Sequence, residues 1–335
     1  MAHHFINVQN STPPFSKGRK TAFFCHSSFE PRCLASINTS DSCQGLDSVF
    51  IFHSSDFHNS EAYRQNHMDM VRDFATASIN EPIQIPLESG VGDKSLDSYK
   101  HSIIDAINHV DDIAIDISTF NRGIMIFLLD LILRNKGDKP LYLFYSEPEK
   151  YGIEKDVKST TWLSRGVKSV NAVPGFLGEK TEKKQSLLVV LLGCDAERVL
   201  STIEIVNPDK IVLITQGALK CRKGLQELYL KNHGKILERY GEKIINILTV
   251  PPHGWEAVYD VFSRVHAIYR NMYNLTAVLD GTKMQVFGAV TFCQKYPCIE
   301  LIYSQPEEYN SDAYSYGVGQ TKWLSVPNMD MFKKR

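Results

Sequence analysis

Ser186-Leu-Leu-Val-Val-Leu-Leu192 decides the fold class. Its large apolar residues follow one another without a polar break, so no face of the segment is left for water. A run of this length and composition predicts a strand buried on both faces, and such strands belong to parallel sheets covered by helices. Toward the C-terminus, residues 210–214, 244–250, 274–279 and 298–303 are further strand candidates, with helical spacing over 222–239, 256–269 and 284–293. Toward the N-terminus the same alternation recurs beyond a charged linker. Strands are predicted over 21–25, 48–52, 113–116 and 140–145, with an edge strand at the proline-containing 82–87. Helices fall over 61–77, 95–110 and 123–133. Strands alternating with helices imply right-handed parallel βαβ units in each half.

The two halves carry a shared signature. Tyr145-Ser-Glu-Pro-Glu-Lys-Tyr151 and Tyr303-Ser-Gln-Pro-Glu-Glu-Tyr309 agree at five of seven positions, and Trp162-Leu-Ser164 and Trp323-Leu-Ser325 follow them. Phe29-Glu-Pro-Arg-Cys-Leu34 likewise resembles Asp195-Ala-Glu-Arg-Val-Leu200. The chain therefore reads as an internal duplication: an N-terminal arm over 1–20, one α/β domain over 21–178, a linker over 179–185 and a second domain over 186–335. Similar domains in one chain are expected to associate about a pseudo-twofold axis.

Composition narrows the function classes. The chain has 335 residues, 43% of them hydrophobic, enough for two cores. A net charge of -1 gives no basic balance of the kind that marks binders of long nucleic acid. Seven cysteines without a C-x-x-C pair argue against a zinc site or a disulfide framework and suit a reducing cytoplasm; Cys25, Cys194 and Cys298 read as buried small residues. Residues 1–20 are polar and lack the apolar core of a secretory signal, and the most apolar helix candidate is too short to span a bilayer. A soluble cytoplasmic protein without metal or cofactor is expected.

Ligands of open parallel sheets bind beyond the carboxyl ends of the strands. The loops there carry Arg32 and Arg198, each able to offer a planar fork to phosphate or to form a surface ion pair with Glu30 or Glu197. After the fourth strands come Asp116-Ile-Ser118-Thr119-Phe-Asn121-Arg122 and Asp280-Gly281-Thr282-Lys283. Small and hydroxyl residues let backbone N–H groups at a helix N-terminus meet an anion, and the same residues are good N-caps. A P-loop is absent. Thr215 and Gln216 end one second strand, as His53 and Ser54 end the other. Ser146 and Ser304 sit in the duplicated signature, where the hydroxyls suit a ribose or phosphate; Tyr145 and Tyr303 either stack on a base or pack beside the turning proline. Trp162 and Trp323 read as anchors of a loop in the core. The histidines are scattered, and no Gly-x-Ser-x-Gly, His-Glu-x-x-His or paired-carboxylate pattern appears. A composite site, with Asp116 or His26 activating a nucleophile, stays open as an alternative.

Asn274-Leu-Thr-Ala-Val-Leu-Asp-Gly-Thr-Lys-Met284 resembles the strand-to-helix Asn-Leu-Thr-Gly-Gly-Thr-Lys segment of CARF domains, the Rossmann-like sensors of cyclic oligoadenylates in CRISPR-linked immunity. Two such units in one chain look like the SAVED arrangement of anti-phage effectors. The resemblance spans about 100 residues of the second half. In the first half Asp116–Arg122 replaces the Gly-Thr-Lys element, and Ala277-Val278-Leu279 stand where the family is glycine-rich. It implies tandem Rossmann-like domains around a pocket for a nucleotide second messenger. It also implies a separate effector partner, since the two halves leave no stretch for a fused one. An enzyme acting on a nucleotide in the same crevice and a scaffold without a pocket are the competing readings.

Overall fold

The computed structural model describes residues 6–7, 18–38, 46–54, 60–87, 94–152, 162–193, 195–216, 233–311 and 314–326. In chain order these form β1 (Ile6–Asn7), β2 (Thr21–His26), a 3-10 turn (Pro31–Leu34), α1 (Ala35–Asn38), β3 (Ser48–Ser54), α2 (Glu61–Ala77), β4 (Ile83–Leu87) and α3 (Lys94–His109). Next come β5 (Asp112–Asp116), α4 (Arg122–Asn135), β6 (Leu141–Ser146), β7 (Lys150–Tyr151), β8 (Ser164–Arg165) and β9 (Ser169–Leu177). The second series is β10 (Gln185–Leu191), α5 (Ala196–Val206), β11 (Lys210–Gln216), α6 (residues 233–240), β12 (Ile244–Val250) and α7 (Trp255–Tyr269). It ends with β13 (Tyr273–Leu279), α8 (Lys283–Lys295), β14 (Ile299–Gln305), β15 (Glu308–Tyr309), β16 (Ser315–Tyr316) and β17 (Thr321–Val326).

Two sheets result. One has the order β1-β17-β6-β5-β2-β3-β4, the other β12-β11-β10-β13-β14-β9. In each, five strands run parallel, with the first in the middle, the second and third to one side and the fourth and fifth to the other. This is a Rossmann-like order, and the sequence expectation of two parallel-dominated α/β sheets holds. β10, the strand that fixed the class, lies at the centre of its sheet with Leu187–Leu191 fully buried. The helices after the fourth strands, α4 and α8, are apolar around most of their circumference and accordingly buried along most of their length. Local signals set their ends: Ser60 caps α2, Asp195 caps α5, Thr282 and Gln285 form a capping box on α8, and Asn207 ends α5 in the left-handed region at φ 43°.

The sixth strand of each sheet was not foreseen. β17, from the end of the chain, runs antiparallel to β6, and β9, which follows the first series, runs antiparallel to β14. The chain thus folds as two compact units: Met1–Asn121, Leu131–Tyr151 and Ser315–Arg335 form one, and Arg122–Asp130 with Gly152–Tyr314 the other. The expected linker at 179–185 joins β9 to β10, both in the second sheet. Ile6–Asn7 of the N-terminal arm pairs with β17. Cys194 and most of the helix expected over 222–239 lie outside the described residues. Cys25 is buried and Cys298 is half-buried.

The duplicated signature takes a different meaning in three dimensions. Trp323 lies inside β17 and in the first unit's core, while the half-buried Trp162 precedes β8, with the Arg165 guanidinium 3.9 Å over its ring. The two Trp-Leu-Ser triplets therefore occupy different elements. The structural counterparts are Ser164-Arg-Gly-Val and Ser315-Tyr-Gly-Val. β8 pairs with β15 so that Ser164 faces Tyr309, and β16 pairs with β7 so that Ser315 faces Tyr151. Gly166 (φ +61°) and Gly317 (φ +65°) follow these serines. A Cβ on either would strike the signature glutamate, Glu307 or Glu149, at 2.5 Å. The shared Pro-Glu and the shared glycine are two sides of one packed turn.

Candidate functional site

In both sheets the strand order reverses between the first and fourth strands, and ligands of open α/β sheets bind beyond the carboxyl ends at that point. The candidate residues lie on the loops that flank it.

In the first unit, Arg32 sits in the 3-10 turn after β2 and is buried. Its Nε and Nη2 donate to the two carboxylate oxygens of Glu30 (2.9 Å each), and Nη1 donates to the Ser146 carbonyl (3.0 Å). Ser315 donates its hydroxyl to the same carboxylate. Burial alone would lower the Arg32 pKa; Glu30 and nearby tyrosines outweigh that and hold it raised, so the side chain is charged. The fork predicted for phosphate is filled by a buried carboxylate, an ion pair in the interior instead of on the surface. Across the loop after β5, Ser118 donates its N–H (2.9 Å) and its hydroxyl to Asp116, and the Ser146 N–H donates to the Ser118 hydroxyl (2.8 Å). Burial raises the Asp116 pKa above its ordinary value, against the opposing pull of those hydrogen bonds. Thr119 bonds the His26 carbonyl at 2.7 Å, tying the loops together. The Ser146 hydroxyl is satisfied by Thr321 of β17 at 2.9 Å. Asn121 is half-buried. Next to Arg32, Cys33 is buried and its thiol is pushed up to about 12, chiefly by desolvation.

In the second unit, Arg198 lies in the first turn of α5. Its Nη2 pairs with Asp280 at 2.8 Å, while its Nε lies 3.9 Å from the Asp195 carboxylate. Asp195 accepts the hydroxyl of Ser164, as Glu30 accepts that of Ser315. Arg32 thus takes the partner that proximity in the chain suggested, Glu30, whereas Arg198 takes Asp280 in place of Glu197. The loops after β10 and β13 touch: a Cβ on Gly193 would fall 1.9 Å from the Asp280 carbonyl oxygen. Arg122 reaches the same loop. Its guanidinium donates to the carbonyls of Asp280 (2.9 Å) and Gly281 (3.1 Å) and stays only partly covered. Thr282 donates to the Pro252 carbonyl (2.5 Å) while capping α8, so its hydroxyl serves the helix. Gln216 bonds Gln285 at 3.2 Å, drawing the end of β11 into the cap. Thr215 turns away, to Thr249 and the Leu248 carbonyl. Lys283 is half-buried at the start of α8. Tyr303 is buried and Tyr309 half-buried, with hydroxyls 3.2 Å apart, and desolvation raises both their pKa values.

Asp116 and Asp280, aligned in the sequence, are not equivalent. Asp116 opposes Phe144 within the sheet, whereas the β13–β14 register, Val278 against Ile302, brings Asp280 level with Ser304 once continued by two residues. Ser118 holds that place in the first unit, and this is why Arg32 takes its acid from its own loop. Glu30, Asp195, Ser164, Ser315 and Gln285 were missed as site residues. The shared Ser-x-Gly-Val was the available signal for the two serines.

No family model matches the chain, and no curated protein matches it. Among solved structures, a type III CRISPR defence DNA nuclease activated by cyclic oligoadenylate is similar over 80% of this chain and 63% of its own, at 9% identity and a TM-score of 0.47. This chain thus spans less than two thirds of that protein. A universal stress protein from Archaeoglobus fulgidus DSM 4304 is similar over 85% of this chain and 96% of its own (11% identity, TM-score 0.24). The cytoplasmic domain of a prokaryotic cation chloride cotransporter covers 88% and 98% respectively (7% identity, TM-score 0.25). The fold assignment rests on the topology above. Among the described residues, no helix is long and apolar enough to cross a membrane.

Proposed function

We propose that the chain binds a nucleotide at the carboxyl edge of the second sheet and acts as a regulatory, sensing subunit with a separate effector partner. One observation carries this reading: Arg122 donates its guanidinium N–H groups to the carbonyls of Asp280 and Gly281, with the Asp280 carboxylate 3.9 Å away. Arg32 and Arg198 cannot turn to a phosphate without stranding a buried carboxylate, which costs several kcal/mol. Moving Arg122 leaves the Asp280 carboxylate paired with Arg198, and a phosphate oxygen in place of a neutral carbonyl adds an ion pair to the hydrogen bond. The likeness of Asn274–Met284 to the CARF segment supports a role in prokaryotic anti-phage defence and favours cyclic oligonucleotides among the candidates.

The test is a thermal-shift screen of the full chain against cyclic oligoadenylates, cyclic dinucleotides and linear nucleotides, followed by chromatography of the nucleotide. Stabilisation with the nucleotide recovered intact, lost in Arg122→Ala, is the expected result. Conversion of the nucleotide would replace the sensor with an enzyme at the same edge. No shift with any member of the panel would leave the scaffold reading.

A further inference from the structure

Val278, Ile302 and Val170 all pack in the core beneath α5, together with Val199 and Ile203 of that helix. Side chains two residues apart on a strand share a face. Asp280 and Ser304 therefore stand on this same face at its carboxyl edge, beside Arg198 of α5. All three are buried to 4% exposure or less. Yet the second carboxylate oxygen of Asp280, the Nε of Arg198 (3.9 Å from the Asp195 carboxylate, beyond hydrogen-bond distance) and the hydroxyl of Ser304 have no hydrogen-bond partner among the described residues. Buried polar atoms without partners are rare, and each calls for a water, an ion or a ligand.

The first unit supplies an internal control. There the strand pairing opposes Ser146 with Thr321, and their hydroxyls bond at 2.9 Å. In the second unit the same place opposes Ser304 with Val170, which has nothing to offer. One copy of the duplicated serine is closed by its sixth strand, and the other is left open.

The chemistry of the open set selects its occupant. A carboxylate oxygen needs a donor, the Arg198 N–H needs an acceptor, and a serine hydroxyl takes either role. Phosphate offers acceptors alone and meets repulsion from Asp280. A sugar hydroxyl offers both. We propose that Asp280, Ser304 and Arg198 form a hydroxyl-reading subsite that admits the ribose of a nucleotide, with the partly covered Arg122 as the side chain that moves aside. The proposal rests on the nucleotide reading above and specifies which part of the nucleotide is recognised here.

The full chain is titrated with adenosine 5′-monophosphate, its 2′-deoxy and 3′-deoxy forms, and matched ribo- and deoxyribo- cyclic dinucleotides. At least one deoxy form is expected to bind about tenfold more weakly or worse, because it leaves buried polar groups unmet. Val170→Thr copies the first unit's closure; it is expected to raise the melting temperature of the free protein and to bring the ribo/deoxy ratio toward one. Ser304→Ala is expected to lower the same ratio without a loss of stability. Equal binding of ribo and deoxy forms would overturn the subsite and leave nucleotide binding standing. A stabilised Val170→Thr with its ratio unchanged would mean a buried water only and would also overturn it. Absence of binding by every probe would remove both readings.

Discussion

Trp323→Ala tests the assignment of the last strand to the first unit. Trp323 is 6% exposed in β17 and packs in a core with Phe23, Phe74 and Phe144, edge-on to Tyr142 with ring centroids 6.0 Å apart. Truncating a buried Trp to Ala costs about 3–5 kcal/mol in lost burial and the cavity left behind. Domains of this size are stable by about 5–15 kcal/mol, so the loss takes a large share. It should lower the melting temperature of the first unit by about 6–20 °C. The assay is hydrogen exchange followed by mass spectrometry. Peptides covering Thr21–His26, Asp112–Asp116 and Leu141–Ser146 should lose protection, while those covering Gln185–Leu191 and Tyr273–Leu279 keep theirs. A chain divided into two contiguous halves predicts the reverse, because Trp323 would then belong with the second series. Loss of protection in the second sheet with the first intact would refute the strand exchange.

Arg198→Ala should cost about 3–5 kcal/mol by leaving Asp280 buried without its cation, and Arg198→Met combined with Asp280→Asn should recover most of that in urea unfolding. Asp116 has a folded-state pKa raised by burial above its ordinary 3.8, so the folded protein binds that proton more tightly than the unfolded chain does. Its contribution is fully present below pH 3.8 and is lost as pH rises through the raised value; Asp116→Asn should lose less stability than the wild type as pH rises above 3.8, by thermal unfolding. Gly193→Ala and Gly288→Ala place a Cβ 1.9 Å from the Asp280 carbonyl and 2.1 Å from the Trp255 carbonyl, backbone atoms that cannot rotate away, and each should cost at least about 1–3 kcal/mol. Gly234→Ala, in the helical 233–240 with open space around it, should instead stabilise by about 0.4–1 kcal/mol. A melting series over these three glycines checks both signs.

The sequence by itself determined the class of fold. Burial on both faces is a property of a strand's own composition, so Ser186–Leu192 announced a parallel sheet before any partner was known. Helix limits are similarly local, being set by caps and spacing, and α2 falls on the expected 61–77. The duplication too could be read directly from Tyr-Ser-x-Pro-Glu-x-Tyr. Three things needed the tertiary structure. Which sheet takes β9 or β17 depends on pairing between segments far apart in the chain, to which neither segment's composition points. Whether an arginine is free to bind an anion depends on the acids that fold against it: Arg32 and Arg198 look alike in sequence, yet one is held by Glu30 and the other by Asp280. The third is whether a buried hydroxyl is satisfied. Ser146 and Ser304 are the same residue in the same motif, and only the strand across the ladder, bringing Thr321 to one and Val170 to the other, makes them different.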